Sequence, residues 1–387
     1  MTRKITILLL VILLAGNLVG CYDYKSLDSL SVVVGIAVDK SDEEPNIFHV
    51  SFEIIGTQKS SEEEGKVSYI IESDGVSIFD AITNANKKLL NELYLGNTDL
   101  LIINEEIAKE IGIDIILENF FRGFPVLDTI NVIISRAQTA RSMILNKSEG
   151  KDNTVFSYKI VKTLENQKIT TDTAHPLKIY EIYDSLKKGI DCITLPACNL
   201  NYDGEEPEPE IDGFAVFKGD KLRGYIEEDE KKYFSFAKEK LKGGNIVLAL
   251  EGKDGHGDEY VTHGVIKSNS RIINIDYANN NLDIVIGIKV QTKLNGLFPQ
   301  TRALNMDKVL EIEEKSAQEL EKNIKNVIKQ AQVDLGADIF GFALHIYRYD
   351  NRLWNEIKDN WDELFKNANI NMNIKFDVLD TGLIINY

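Results

Sequence analysis

The residue with the clearest chemistry in this sequence is Cys21, which ends an apolar N-terminal segment. Two basic residues, Arg3 and Lys4, precede an uncharged run, and the small residue Gly20 stands directly before the cysteine. A small residue there lets signal peptidase approach the backbone, and the thiol can carry a thioether-linked diacylglycerol. We therefore predict a lipoprotein signal peptide over residues 1–20 and lipidation of Cys21 as S-diacylglycerol and N-palmitoyl cysteine.

An uncleaved membrane anchor is the alternative interpretation of this segment. A helix needs roughly 20 apolar residues to span a bilayer. The uncharged run is shorter than that, and Asn17 interrupts it. Two acyl chains on Cys21 would convert marginal membrane binding into stable attachment. The lipid alone would then hold the mature chain at the membrane.

Cys192 and Cys198 are the two other cysteines. Six residues of extended strand span about 20 Å, whereas a disulfide requires Cα atoms within roughly 7 Å of each other. Only a turn at Pro196 would bring the two thiols together. Their spacing matches no common zinc or redox motif. We predict two buried free thiols.

Residues that could ligate a metal cluster around His256. Asp254, Asp258 and Glu259 lie close to it, and His263 follows. Glycines on both sides of His256 instead favour a polar connection between two strands, and such a motif indicates a metal only in the right structural context. We predict no metal site.

No common catalytic motif is present in the sequence. It contains no H-E-x-x-H, no G-x-S-x-G, no glycine-rich phosphate loop followed by Lys and Ser or Thr, and no dinucleotide fingerprint. The 5 histidines offer few candidates for acid–base chemistry. We predict that the protein is not an enzyme and has no catalytic residues and no cofactor.

Composition and charge indicate an exported, folded chain. Of the 387 residues, 43% are hydrophobic and 27% are charged, which is enough for about two or three domains. Formal charge is −17, and without residues 1–20 the chain keeps 42 basic and 61 acidic residues, a charge of −19. Phosphate backbones and anionic headgroups repel such a surface. Nucleic acid is therefore excluded as a partner, and we expect another protein or a positively charged partner.

Strand and helix patterns alternate over residues 32–202, after a polar tether at 21–31. This alternation predicts an N-terminal α/β region with helices layered on a sheet. The predicted strands cover 32–38, 48–55, 67–72, 100–103 and 130–135. The predicted helices cover 77–90, 105–121, 138–147, 153–165 and 176–188.

A stretch rich in Pro and Glu, residues 203–210, predicts a linker because it cannot pack into a core. After it we predict a middle region of β-hairpin and helix over 211–263 and a C-terminal α+β domain over 264–387. That domain contains a hairpin over 270–290 and one long amphipathic helix near 307–335. The predicted fold class is α+β and multidomain, with mixed and antiparallel sheets and packed helices.

Four apolar residues recur at helical spacing near the C-terminus: Trp354, Trp361, Leu364 and Phe365. One interpretation is a helix face that packs into the core. The other is an aromatic cage for a ligand, which would need polar groups that converge on it. The helical periodicity favours the core.

The mature chain carries an ordered set of motifs from start to end. They are Cys21-Tyr-Asp-Tyr-Lys25, Val34-Gly35-Ile-Ala-Val-Asp39, a strand-turn-strand at 213–224, Ala337-Asp338-Ile-Phe340-Gly341-Phe342, Trp354, residues 359–365 and Asp380-Thr381-Gly382-Leu383. This set resembles the Ger(x)C family, the lipoprotein C subunits of spore germinant receptors. Ala343 stands where the family has a glycine, and Tyr22 where it often has tryptophan.

The resemblance implies an α+β fold in three domains and a non-enzymatic subunit, lipid-anchored on the outer face of the spore inner membrane. It also implies two partners, the integral-membrane subunits A and B, which sense nutrients and trigger germination. A nutrient germinant is a further candidate ligand. The competing hypotheses are a solute-binding lipoprotein of a transporter, with two similar lobes around a hinge, and a secreted lipoprotein hydrolase, with a nucleophile or metal set.

Overall fold

The computed structural model shows a mixed α+β protein with two sheets, which confirms the predicted fold class. The structure describes residues 30–381 except for a set of short segments, which are 42–43, 45–46, 58–65, 124–128, 146–154, 171–176, 191, 204–206, 239, 251–258 and 300–303. The predicted signal peptide, most of the tether and the His256 cluster up to Asp258 lie outside the described residues.

The first sheet has nine strands, and its central strands run parallel. Its order is β3-β2-β1-β5-β6-β7-β8-β9, with β4 paired to β1. Pairing is parallel from β1 through β5 and β6 to β7, and antiparallel on both flanks. The strands are β1 (Leu30–Lys40), β2 (Phe48–Thr57), β3 (Lys66–Gly75), β4 (Glu92–Tyr94), β5 (Leu100–Asn104), β6 (Asn131–Ser135), β7 (Ile193–Asn201), β8 (Glu208–Lys218) and β9 (Lys221–Ile226).

Helices cover both faces of this sheet, so its two central parallel strands, β5 and β6, are fully buried. Every residue of β5 and β6 is buried, because neighbours along a strand face opposite sides and each side has its own apolar cluster. The helices are α1 (Ile78–Asn86), α2 (Glu105–Glu110), α3 (Asp114–Gly123), α4 (Phe156–Thr170) and α5 (Ile179–Lys188).

The expected linker at 203–210 does not interrupt the sheet. Residues 208–210 already belong to β8 and pair with β7, with Pro209 opposite Leu200. Proline fits there because β9 pairs with β8 only from Phe214 onward, so Pro209 needs no donor on its other side. The first sheet therefore extends to residue 226. A domain boundary in this stretch stays a prediction.

The second sheet is built from a long hairpin with a short strand on one side and a parallel strand on the other, in the order β10-β11-β12-β13. The predicted hairpin at 270–290 is its tip. The boundary expected between 263 and 264 falls inside the longest strand of the sheet, where β11 pairs with β10 and with β12 and its register against β12 shifts between Thr262 and His263. A domain boundary there stays a prediction. The strands are β10 (Asn245–Leu250), β11 (Glu259–Ala278), β12 (Asn281–Phe298) and β13 (Asn369–Asp380).

One long helix, α7 (Met306–Gln330), packs on this sheet and continues as a π-helical turn to Leu335. Its buried side chains recur at helical spacing, as the sequence predicted. Helix α6 (Glu228–Lys238) precedes β10. Three short helices follow α7: α8 (Phe342–Tyr349), α9 (Asn351–Ile357) and α10 (Trp361–Asn367).

The predicted helix at 138–147 is wrong. Residues 138–145, the part of this segment that the structure describes, form only a single 3-10 turn, at Arg141–Met143. Both carboxylate oxygens of the buried Asp39 accept backbone hydrogen bonds from this segment, from Ala140 at 2.5 Å and from Arg141 at 2.9 Å. A tertiary carboxylate therefore satisfies the N–H groups at the start of the segment and fixes it as a turn.

Candidate functional site

Among the residues around His256 that could ligate a metal, the structure describes only Glu259 and His263. Of these, His263 is the buried one. It is fully buried between β11 and α7. Its Nε2 lies 3.0 Å from the Ser316 hydroxyl and its Nδ1 lies 3.3 Å from the Thr292 hydroxyl. Burial lowers its pKa to about 4, so the ring is neutral at pH 7. Within the described ranges, no group of three or more His, Cys, Asp or Glu residues could hold a metal ion.

Cys192 and Cys198 are free thiols, as predicted, but only Cys198 is buried, whereas Cys192 is half-buried. Strand β7 continues through Pro196, although its register against β8 shifts between Pro196 and Cys198, so the chain stays extended at the proline. Burial raises the pKa of the Cys192 thiol to about 12 and also raises that of Cys198. Neither thiol is therefore activated as a nucleophile.

The most distinctive feature of the fold is a seam of aromatic rings that joins the two sheets. Its first pair, Phe214 of β8 and Phe234 of α6, has ring centroids 5.7 Å apart. The row then continues through Phe340, Phe342, Phe365 and Trp361 to Trp354, with successive centroids 5.6, 5.8, 6.3, 6.0 and 5.8 Å apart. Each contact lies in the range of favourable aromatic pairs. We call this row the aromatic seam.

The strand-turn-strand motif at 213–224 supplies one side of the seam. Its glycines are required because other atoms lie where a Cβ would be. Gly213 has φ +91, and a Cβ there would lie 2.3 Å from the Ile226 carbonyl oxygen. A Cβ on Gly224 would lie 2.6 Å from Leu335 Cδ2, at the end of the π-helical turn. Glycine therefore lets β8 and β9 approach the C-terminal elements closely.

Asp338 shapes the turn that carries the seam into α8. The residue is buried, and its carboxylate accepts hydrogen bonds from the backbone N–H groups of Gly341 at 3.0 Å and Ala343 at 2.7 Å. Burial raises its pKa to about 6, against the lowering effect of these hydrogen bonds. The carboxylate thus occupies the N-terminus of α8, and Gly341 takes a positive φ of 78 at the cap.

Two cavities open beside the seam. The larger, of about 550 Å³, lies between β7, α6, the β11–β12 hairpin and α8. The smaller, of about 410 Å³, is lined by both tryptophans of the seam and by the charged residues Lys218, Lys358, Asp359, Asp362 and Glu363. Cys192 lines both cavities. Polar groups therefore do converge near Trp354 and Trp361.

The core interpretation of the C-terminal aromatics holds only in part. Phe365 is buried in the core, and Trp361 packs against it while half-buried. Trp354 is half-buried and contacts Trp361 at the wall of the smaller cavity. Helical spacing identified the correct helix face, but α9 ends at Ile357 and α10 begins at Trp361, so the face does not continue as one stripe into the core.

Two family signatures match the chain, one for each half. "Spore germination protein N-terminal domain" matches residues 23–200, and "Spore germination B3/ GerAC like, C-terminal" matches residues 212–382. The chain belongs to the Ger(x)C family. The junction between the two signatures falls in the stretch 203–210, although the first sheet continues through it.

Ger(x)C relatives match over nearly the whole chain. The Bacillus subtilis (strain 168) spore germination protein KC is 23% identical, with 94% of this chain and 92% of the relative covered. Spore germination protein A3 of the same organism is also 23% identical, with 94% of each chain covered. The crystal structure of the GerBC protein superimposes with a TM-score of 0.59 at 18% identity, covering 92% of this chain and all of that one, which supports the fold.

The Ger(x)C assignment gives this chain the role of a germinant-receptor C subunit in spore germination. In the part of the chain that the structure describes, no helix is long and apolar enough to cross a membrane. Sequence reasoning located Asp338 and the C-terminal rings of the seam, which are Phe340, Phe342, Trp354, Trp361 and Phe365. It did not join these rings to Phe214 and Phe234, because those two lie more than a hundred residues earlier.

Proposed function

We propose that this protein is the lipid-anchored C subunit of a nutrient germinant receptor and works as a non-enzymatic docking body for the membrane subunits A and B. The observation that carries the proposal is the pair of family signatures, which together span both sheets. The residues of the C-terminal signature lie in the aromatic seam and at the cap of α8, where they build the fold. Their placement supports a scaffold role.

The seam supports a docking body because it joins the two sheets through one core. A single apolar cluster contains Phe214 and Ile226 of the first sheet together with buried residues of β11, β12, β13 and α7. Polar contacts reinforce the seam: Lys218 Nζ lies 2.6 Å from an Asp362 carboxylate oxygen, and Gln330 donates to the Tyr225 carbonyl oxygen at 3.4 Å. A body of this kind presents its outer faces to partners in a fixed arrangement.

Attachment through Cys21 is the second part of the proposal. Lipidation there, with an S-diacylglycerol and an N-palmitoyl group, would place the chain on the outer face of the spore inner membrane. Strand β1 takes up the last two residues of the predicted tether, and the remaining residues 21–29 would reach at most about 32 Å when fully extended. The acidic mature chain would keep its distance from anionic headgroups, which leaves its faces free for the A and B subunits.

Mass spectrometry of the membrane-extracted protein tests the anchor. We expect an N-terminal Cys21 that carries the diacylglyceryl group, and we expect Cys21→Ala to move the chain out of the membrane fraction. Cys192→Ala is the matched control, because that thiol is unactivated and should not affect attachment. A membrane-bound chain that retains Met1 without modification would contradict the proposal.

A deletion strain tests the role in germination. Spores without this chain should fail to respond to the nutrient of their receptor, and the wild-type sequence should restore the response. Germination through the other receptors of the same spore serves as the internal control. Normal responses to every nutrient in the deletion strain would contradict the proposed function.

A further inference from the structure

The larger cavity beside the aromatic seam carries an unusual set of charges. Its volume is about 550 Å³, within the range of small-molecule sites. Three cations line it, and each comes from a different element: Lys238 from α6, Arg271 from β11 and Arg348 from α8. All three are solvent-exposed. Their convergence is notable in a chain whose formal charge is −17.

These cations have no carboxylate partners among the residues that the structure describes. Other cations of the chain are paired: Arg136 with Glu227 at 2.7 Å, and Lys308 with Glu259 at 2.7 Å. Like charges in one cavity repel each other unless an anion lies among them. An acidic protein that leaves such a group uncompensated has a cavity suited to an anion.

The buried carboxylate of Asp338 is not a partner for these cations. Asp338 lies close enough to Lys238 to feel its charge, but its carboxylate accepts the backbone N–H groups of Gly341 and Ala343. Lys238 instead lies 5.3 Å from the ring centroid of Phe234. His345, in the part of the cavity wall that α8 supplies, contacts Tyr349 and has a pKa lowered by burial. It adds no negative charge.

The rest of the wall is mixed, with polar groups from Ser185, Thr194 and Ser270. Its accessible apolar surface comes from the half-buried side chains of Leu177, Ile272 and Leu344. A bare inorganic anion would leave this surface uncovered. A ligand that combines a negative group with a short apolar body would satisfy the cations and cover the apolar wall together.

We propose that this cavity is a binding site for a small organic dianion, a phosphate monoester or a dicarboxylate, that carries an apolar group. Arg271 and Arg348 would bind the anionic group, because guanidinium groups match carboxylate and phosphate oxygens in a bidentate manner. The apolar group would pack against Ile272 and Leu344. Since the site lies where the two sheets meet, an occupied cavity would also brace the seam.

Isothermal titration calorimetry on the full-length chain in non-ionic detergent tests this proposal. The probes are phenyl phosphate, inorganic phosphate, which lacks the apolar group, and benzyl alcohol, which lacks the charge. We expect saturable binding of phenyl phosphate, weaker binding of inorganic phosphate and none of benzyl alcohol. Absence of saturable phenyl phosphate binding at millimolar concentration would overturn the proposal.

Variants of the cations assign the binding to this cavity. The double variant Arg271→Gln and Arg348→Gln should lower the affinity for phenyl phosphate at least about tenfold, because two charge-assisted contacts are lost. Arg352→Gln removes an exposed guanidinium outside the cavity and should change nothing. Lys238→Gln tests the third cation separately and should also lower the affinity for phenyl phosphate. Equal affinity in wild type and both cavity variants would overturn the proposal.

Discussion

The two sheets of this protein differ in how many of their faces are covered by helices. In the first sheet, helices cover both faces and every residue of β5 and β6 is buried. In the second, α7 covers one face only, and β13 alternates buried Ile370 and Met372 with exposed Asn371 and Asn373. A parallel sheet with crossover helices reads as continuous apolar runs, whereas a sheet with one solvated face reads as alternation.

The difference extends to the charges that each sheet buries. Glu53, on β2, is fully buried and accepts the backbone N–H groups of Phe156 and Ser157 at the start of α4, both at 2.9 Å. Strand β11 of the second sheet buries the neutral ring of His263 instead. When a helix begins against a buried sheet, its first backbone N–H groups need hydrogen-bond acceptors inside the protein, and a carboxylate on a neighbouring strand supplies them. A sheet with one solvated face has less need of buried charge.

The largest effect should come from breaking the seam that joins these two regions. Phe342→Ala removes a buried ring and should lower the free energy of unfolding by about 3–5 kcal/mol. Tyr349→Ala, at the exposed end of the same helix, should cost less than about 0.5 kcal/mol. Urea unfolding checks both variants. Because Trp354 and Trp361 lie on the seam, tryptophan fluorescence should change before circular dichroism in the damaged variant.

Glu53→Ala tests the buried acid of the first sheet. The change leaves the N–H groups of Phe156 and Ser157 and the Ser68 hydroxyl without their acceptor, which should cost about 2–4 kcal/mol. Glu118→Ala breaks only an exposed ion pair on α3 and should cost less than about 1 kcal/mol. Similar losses in the two variants would mean that Glu53 is not a structural cap.

The pH dependence of stability should separate the buried histidine from the buried acid. His263 has a pKa lowered from 6.5 to about 4, so its neutral form stabilises the fold above pH 6.5, and that contribution is lost as pH falls toward 4. Asp338 has a pKa raised from 3.8 to about 6, so its contribution runs the other way and falls as pH rises through this window.

His263→Gln removes the first of these two opposing contributions. Between pH 7 and pH 4 the variant should lose about 3 kcal/mol less stability than the wild type, the value of a shift of this size. The free energy of unfolding at the two pH values, from urea titrations, checks this. His345→Gln, on the half-exposed side of α8, is the control. Its pH-dependent loss of stability should differ less from that of the wild type. Identical pH profiles for wild type and His263→Gln would contradict the assignment.

The smallest predicted effect concerns the backbone at the entry to the seam. Gly213→Ala places a Cβ against the Ile226 carbonyl oxygen at a positive φ and should cost about 2 kcal/mol. Gly219→Ala also has a positive φ, but its Cβ meets nothing within 4 Å, so it should cost about 1 kcal/mol. Thermal melting of the two variants checks this. A lower melting temperature for Gly213→Ala than for Gly219→Ala would show the cost of the Cβ contact beyond that of the positive φ alone.

Local patterns predicted the elements of the fold more completely than its joints. The alternation in β12 and the helical stripe of α7 are properties of neighbouring residues, so the sequence shows them directly. The turn at Arg141–Met143 depends on the carboxylate of Asp39, a hundred residues earlier. A propensity for helix cannot anticipate a tertiary hydrogen bond of this kind.

The site was less predictable than the fold for the same reason. The cavity beside the seam collects Lys238, Arg271 and Arg348 from three elements that are distant in sequence, and no local motif marks any of them. Cys21 is the opposite case, because signal peptidase recognises a short contiguous segment and the prediction needs no fold at all. A site formed by neighbouring residues can be predicted from the sequence, whereas a site assembled from distant residues requires the structure.

Affinity purification of the tagged chain from dormant spore membranes tests the central claim most directly. A germinant-receptor C subunit that serves as a docking body should bring down two integral-membrane germination subunits in a constant ratio. Arg352→Gln should leave this recovery unchanged, and Phe342→Ala should abolish it through loss of the fold. Recovery of the chain alone from membranes that contain both subunits, together with nutrient binding by the isolated chain, would contradict the account.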